Sequence, residues 1–203
     1  MRRLLVALAL VAASGCGSSS TPPGGSSPSP SASAEADVLP AGKGDLPVTG
    51  TVYSPLDFVP PLRLTVPDGW TSTHRGDDAF DLSRPDPTKD APLVVVAFVT
   101  PQDATAKEAL ETLESRLGKV TPVRGTLGGA PALGFDVVGG TGTLVESPSG
   151  TLTLDRQPSQ RARVLAIDVD DVPLLVVIAV PDGSRFTAAL PDVEALLAGV
   201  LAG

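Results

Sequence analysis

The chain has one histidine, His74, and one cysteine, Cys16. A Ser-His-acid device needs its imidazole between a serine and a carboxylate. His74 sits in Thr71-Ser72-Thr73-His74-Arg75-Gly76, which reads as a surface loop, and no Gly-x-Ser-x-Gly elbow occurs. A zinc site of the common kind needs several His or Cys ligands, so it is excluded by count. Asp168, Asp170 and Asp171 could offer oxygens to calcium, but they lack the glycine and distal glutamate of the twelve-residue loop. They read instead as a hairpin strand end and turn, and Asp77-Asp78 reads as a turn as well. Gly125, Gly128 and Gly129 lack the Gly-Lys-Ser/Thr ending of a phosphate loop and read as positions of positive φ or close packing. Trp70, the one large aromatic with a polar handle, is the candidate ligand-pocket residue, against a role packing across the end of a sheet. No catalytic residue, metal ligand or cofactor is assigned. The one enzymatic alternative is an envelope hydrolase of the glycosidase kind, using carboxylates only. It requires two acidic side chains about 5–10 Å apart across a cleft.

Composition narrows the partners. The 203 residues carry a net charge of −8, and loss of Arg2 and Arg3 would make the rest more negative still. Nucleic-acid binding relies on Lys and Arg neutralising phosphates, and anionic lipid head groups would repel such a domain. Five Phe, one Trp and one Tyr give few stacking faces for bases or sugars.

The elements that must position these residues follow from periodicity. Leu62-Arg63-Leu64-Thr65-Val66 alternates as a half-buried strand, ended by Pro67-Asp68-Gly69. Ala79 to Leu82 is a short strand between turns. Leu93 to Val99 is continuous and β-branched, as in a central strand covered on both faces. Thr105 and Glu108 form a capping box before a helix with Ala106, Leu110, Leu113 and Leu117 on one face, closed by Gly118. Strands lie on either side of Gly125 to Pro131. Thr143-Leu144-Val145 and Thr151 to Leu154 form a hairpin, as do Arg163 to Val169 and Leu174 to Val180. Pro191 opens a final helix at its first turn, after a short helical turn from Ser184 to Leu190. The order predicts an α+β fold, an antiparallel β-sheet with helices packed on it.

The N-terminal segment differs. Arg2-Arg3, the apolar run Leu4 to Val11 and the small residues Ala12 to Gly15 have the order of an export signal. The run is too short for the roughly 20 residues of a spanning helix. Ala13-Ser14-Gly15-Cys16 resembles the lipobox of bacterial lipoproteins, with alanine where leucine is usual. Cys16 is then the lipidation site, and ordinary cleavage after Ala13 is the rival reading. The expected organisation is a signal peptide at 1–15, a Ser/Pro/Gly-rich tether at 16–47 and one globular domain at 48–203. The tether cannot bury enough apolar surface to order itself, and as a coil it reaches roughly 30 Å.

Phe58 to Trp70 (FVPPLRLTVPDGW), LGGAPALGFDV, RVLAIDVDDVPLLVVIAV and FTAALPDVEALLAGVL are similar to segments of a group of actinobacterial lipoproteins, the LpqN-type group. That resemblance implies a PsbP-like α/β/α sandwich and no catalytic residues. It departs at Asp170-Asp171, where Asp-Gly is usual, and the departure would lengthen the hairpin turn. The expectation is a non-enzymatic accessory or binding domain, held through Cys16 at the outer face of the cytoplasmic membrane, or secreted in the rival reading. Its partner is an envelope protein or a small apolar ligand.

Overall fold

The computed structural model describes residues 37–203. Cys16, the export signal and most of the expected tether lie outside the described residues. Twelve strands and two α-helices follow in the order β1 (Asp37–Val38), β2 (Gly42–Tyr53), β3 (Leu62–Arg75), β4 (Ala79–Pro85), β5 (Pro92–Val99), α1 (Ala106–Leu117), β6 (Val120–Leu127) and β7 (Ala130–Val138). Then come β8 (Gly142–Glu146), β9 (Thr153–Arg156), β10 (Arg161–Val169), β11 (Val172–Val180), α2 (Phe186–Ala198) and β12 (Leu201–Ala202). Ten strands form one sheet in the order β1-β2-β3-β4-β5-β11-β10-β7-β6, with β12 against β3; β8 and β9 pair separately. Every pairing is antiparallel except β1 with β2. The fold is α+β, as the order of elements predicts.

Alternation divides the apolar residues between two faces. Val94, Val96 and Phe98 of β5, with Leu174, Val176 and Ile178 of β11, pack beneath α2. Ala97 and Val99, with Leu175, Val177 and Ala179, face α1 and the β8–β9 hairpin. The continuous apolar runs of β5 and β11 are thus explained by burial on both sides. The α1 cap forms as expected: Thr105 and Glu108 bond reciprocally, and Gly118 closes the helix at φ 81°.

Four expectations are corrected. Pro67-Asp68-Gly69 does not end a strand: Val48 pairs with Trp70 and Gly50 with Val66, so these three residues bulge opposite Thr49. Gly69 at φ 84° allows the bulge without a Cβ clash. The Asp170-Asp171 turn is not lengthened. Val169 pairs directly with Val172, and both aspartates take left-handed φ, 49° and 64°, as a two-residue type I′ turn requires. The last helix starts at Phe186, not at Pro191. Pro191 removes the bond to the Thr187 carbonyl, but both residues are on the exposed side, where water can replace it. Finally, the folded domain begins before residue 48. Leu39 is buried, and Gly42, Lys43 and Leu46 pair with Arg75, His74 and Ser72.

Candidate functional site

A cleft of about 580 Å³ lies between α2 and the β6 end of the sheet. Leu165 and Ile178 line it from the sheet, and Leu190, Val193 and Leu197 from the helix. Gly125, Ala132 and Gly134 occupy the α2-facing positions of β6 and β7, and a Cβ at Gly125 would stand 2.9 Å from Leu165 Cδ2, so the glycine seats the leucine that floors the cleft. A cleft of this size falls in the range of small-ligand sites. Arg124, Arg163 and Glu194 also line it. The Arg163 guanidinium donates from Nε to Asp136 Oδ1 at 2.7 Å and from Nη2 to Oδ2 at 3.2 Å. Arg161 Nη2 donates to the same Asp136 Oδ2 at 3.0 Å. Both guanidiniums lie over the Phe186 ring, 4.4 and 5.6 Å from its centre, so cation–π attraction helps to hold them. Arg124 is exposed and has no ion pair among the described residues.

A second groove, of about 550 Å³, opens on the other face. His74 lies there, which corrects its reading as a loop residue. It is on β3, half-buried, with Nδ1 at 3.3 Å from Asp81 Oδ2. Asp81 is buried on β4, and its Oδ1 accepts the backbone N–H groups of Thr73 and His74 at 2.9 and 2.7 Å. A second bulge lies here, where the register of β3 with β4 shifts between Thr71 and Arg75, and one carboxylate satisfies the two amides it leaves without ladder partners. The nearby hydroxyls of Thr71 and Ser83 bond each other at 2.9 Å. The result is an imidazole–carboxylate pair in which neither hydroxyl is bonded to the imidazole. Asp45 and Asp90 also line this groove, but Asp81, the buried carboxylate, is already committed as an acceptor.

The remaining sequence candidates have structural places. Trp70 is 2% exposed and packs in the α2-side core. Its Nε1 has no partner among the described residues, and it lines neither groove. Asp168 Oδ1 accepts the Ala106 N–H at 3.3 Å and so supports the start of α1. Asp78 accepts the Ser149 hydroxyl at 2.6 Å, tying β4 to the β8–β9 hairpin. Gly128 and Gly129 make the β6–β7 turn, and a Cβ on Gly128 would strike the Val200 carbonyl. Among the described residues no three His, Cys, Asp or Glu side chains converge as a metal site.

Sequence reasoning missed Asp81, Asp136 and Arg163. A signal existed for two of them: Asp81 interrupts the apolar run Ala79-Phe80-Asp81-Leu82, and Arg163 alternates with Arg161 onto one strand face. An ionic side chain is almost never buried unless paired.

The fold and the site together define an α+β domain whose sheet carries α1 on one face and α2 on the other, with a ligand-sized apolar cleft beneath α2. No family model matches the chain, and no curated protein matches it in sequence. Among solved structures it is similar to LpqN of Mycobacterium tuberculosis, described as involved in cell envelope biogenesis. That likeness has 14% identity over 77% of this chain and 89% of that one, with a TM-score of 0.37. It is also similar to a protein of Bacteroides thetaiotaomicron VPI-5482 at 12% identity over 70% of this chain, with a TM-score of 0.42; the match spans 45% of that protein's length.

Proposed function

We propose that this protein is a lipid-anchored cell-envelope protein whose PsbP-like α/β/α domain binds a small apolar ligand, without catalysis, in the cleft beneath α2. Export and a lipid at Cys16 place it at the outer face of the cytoplasmic membrane. The reading rests on the Arg2 to Cys16 pattern for location and on the cleft for activity. The single observation that carries the activity is the 580 Å³ space beneath α2, walled by Leu165, Ile178, Leu190, Val193 and Leu197. A space of this size suits a small molecule; a protein partner would more often take a larger, flatter apolar patch. A carboxylate-only hydrolase is the weaker reading, because Asp81 already accepts two amides and faces the imidazole.

Two measurements test this. The neutral naphthylamine probe N-phenyl-1-naphthylamine should brighten on adding the protein. Leu190→Trp, which fills the mouth of the cleft, should abolish the gain without lowering the melting temperature. Brightening that survives this change would refute the cleft as the site. For the anchor, Cys16→Ala should move the protein from the membrane fraction to the medium; retention in the membrane would refute lipidation.

A further inference from the structure

Strand β6 is the last in its sheet and pairs on one side only, with β7. The turn at Gly128 and Gly129 fixes which of its main-chain groups face outward. Both glycines take left-handed φ, 55° and 83°, and Leu127 pairs with Ala130. The loop therefore has two residues, and its flanking pair exchanges both hydrogen bonds. Alternation turns the N–H and C=O of Leu127, Gly125 and Val123 toward β7, and the main-chain groups of Thr126, Arg124 and Pro122 away from it. The prolines agree. Pro122, and Pro131 opposite Thr126, both fall where the β6–β7 ladder needs no N–H. Arg124 and Thr126 are exposed, and among the described residues no main-chain group outside the sheet bonds them. Their side chains alternate with Gly125 onto the α1 face, where Arg124 stands beside Leu110 and Leu133. It is therefore their main chains that border the α2 cleft, together with Gly125. A free strand edge thus runs along a cleft walled by Leu190, Val193 and Leu197.

We propose that the cleft takes an extended peptide, which adds to β6 as an antiparallel strand and places one apolar side chain beneath α2. This rests on the reading of the cleft as the ligand site and narrows its ligand. Two residues of the peptide pair with Arg124 and Thr126, each through both N–H and C=O. The residue between them lies opposite Gly125, so its side chain points to the α2 face and its own N–H points away from β6. A hydrocarbon ligand would fill the cleft but offer nothing to the edge amides and carbonyls. A second copy pairing through β6 would bring its own Val123 and Gly125 to the cleft, neither of them large, since Leu127 is already in the core. Residues 17–36 of the same chain carry no large apolar side chain. A separate peptide with a large apolar residue between two residues of free N–H meets both needs.

The test titrates acetyl-Thr-Thr-Leu-Thr-Thr-amide into the full-length chain at pH 7.5, followed by isothermal calorimetry. Replacing its leucine by alanine should weaken binding by about ten-fold or more. N-methylation of either threonine next to the leucine removes a ladder N–H and should weaken binding by about five-fold or more. N-methylation of the leucine itself should change it by less than about two-fold, because that N–H has no partner on β6. Bound peptide should slow amide hydrogen exchange at Arg124 and Thr126 by about ten-fold or more. Thr126→Pro, which removes one outward N–H as Pro122 already does two pairs away, should weaken the peptide by about five-fold or more. Equal affinity of the parent and all the N-methylated peptides would overturn strand addition, as would peptide binding that survives Leu190→Trp. A dimer in sedimentation that Thr126→Pro splits would assign the edge to a second copy and overturn the proposal. If N-phenyl-1-naphthylamine binds and the peptide does not, the strand inference falls and the cleft remains the site. If neither binds, the reading of the cleft falls as well.

Discussion

Removing the Asp81 carboxylate should destabilise the domain more than any change at His74, and the order of three variants tests why. Asp81 Oδ1 accepts two backbone N–H groups at 2.9 and 2.7 Å, and Oδ2 meets His74 Nδ1 at 3.3 Å. Hydrogen bonds to a charged acceptor contribute about 1.5–3 kcal/mol each. Thr73 and His74 are only part-buried, so the lower figure applies, and Asp81→Ala should cost about 3 kcal/mol. Asp81→Asn keeps an oxygen for both amides but loses the charge, which roughly halves each bond, so its cost is about 1.5 kcal/mol. His74→Gln removes one long contact at a half-exposed ring and should cost about 0.5 kcal/mol. Urea unfolding followed by the fluorescence of Trp70 reads all three, because this sole tryptophan is buried on β3, the strand whose amides Asp81 holds. With a slope of about 1–3 kcal/mol per molar urea, Asp81→Ala should lower the midpoint by about 1–3 M. Equal loss in Asp81→Asn and Asp81→Ala, or a loss under about 1 kcal/mol in the latter, would refute the view that this carboxylate serves the bulge amides.

Acid should destabilise the fold between about pH 4 and pH 2. Asp182 is held down to about 2, first by the Ser184 hydroxyl and then by Lys89. A folded-state value below the unfolded one means that its contribution is complete above about pH 4 and is lost as pH falls toward 2. Thermal midpoints from pH 5 to 2 should therefore fall less steeply in Asp182→Asn than in the parent protein. Asp171→Gly should raise stability by up to about 1 kcal/mol, since glycine takes the left-handed φ of that turn without strain; an unchanged or lower urea midpoint would count against the type I′ assignment. The buried Arg75 guanidinium donates to the Pro40, Gly44 and Ser72 carbonyls, so Arg75→Met should free the strand start. Cleavage by trypsin at Lys43 should become at least roughly ten-fold faster, and an unchanged rate would show that strand pairing alone holds the segment.

Legibility varied with the range of the interaction that decides each feature. The α1 cap was readable because Thr105 and Glu108 bond within one turn, and the β10–β11 hairpin because its strands are long and its turn is short. The start of the domain was not readable. Asp37 to Pro47 is poor in apolar residues, and it is ordered by pairing with β3 and by the guanidinium of a residue more than thirty positions away. The strand through Pro67-Asp68-Gly69 was hidden for the same reason, since a bulge and a turn share the same residues and only the partner strand separates them. His74 looked exposed because its polar neighbours suggested a loop; the β3 bulge and a carboxylate seven residues on decide otherwise. The α2 cleft left no local motif, because it is a property of which strands become neighbours.

Strand β7 shows how that cleft is nevertheless written in the chain. Its residues alternate Ala132, Leu133, Gly134, Phe135, Asp136, Val137. Phe135 and Val137 join the core on the α1 side, while Ala132, Gly134 and Asp136 face α2. A Cβ on Gly134 would stand 2.1 Å from the Val164 carbonyl, so the backbones of β7 and β10 already leave no room for a side chain there. Leu165 lies across the two glycines, within 2.9 Å of a Cβ on either. Large residues on one side fill the space beneath α1, while on the other the space beneath α2 is left unfilled at the β6 end. Asp136, the next residue on that face, is buried and gathers Arg161 and Arg163, of which Arg163 lines the cleft. Thus one strand packs against α1 on one face and, on the other, seats Leu165 and holds Arg163 at the cleft. The segment Gly-Gly-Ala-Pro-Ala, which reads as punctuation between strands, supplies both the turn at Gly128 and Gly129 and, at Ala132, a small residue of the α2-side core.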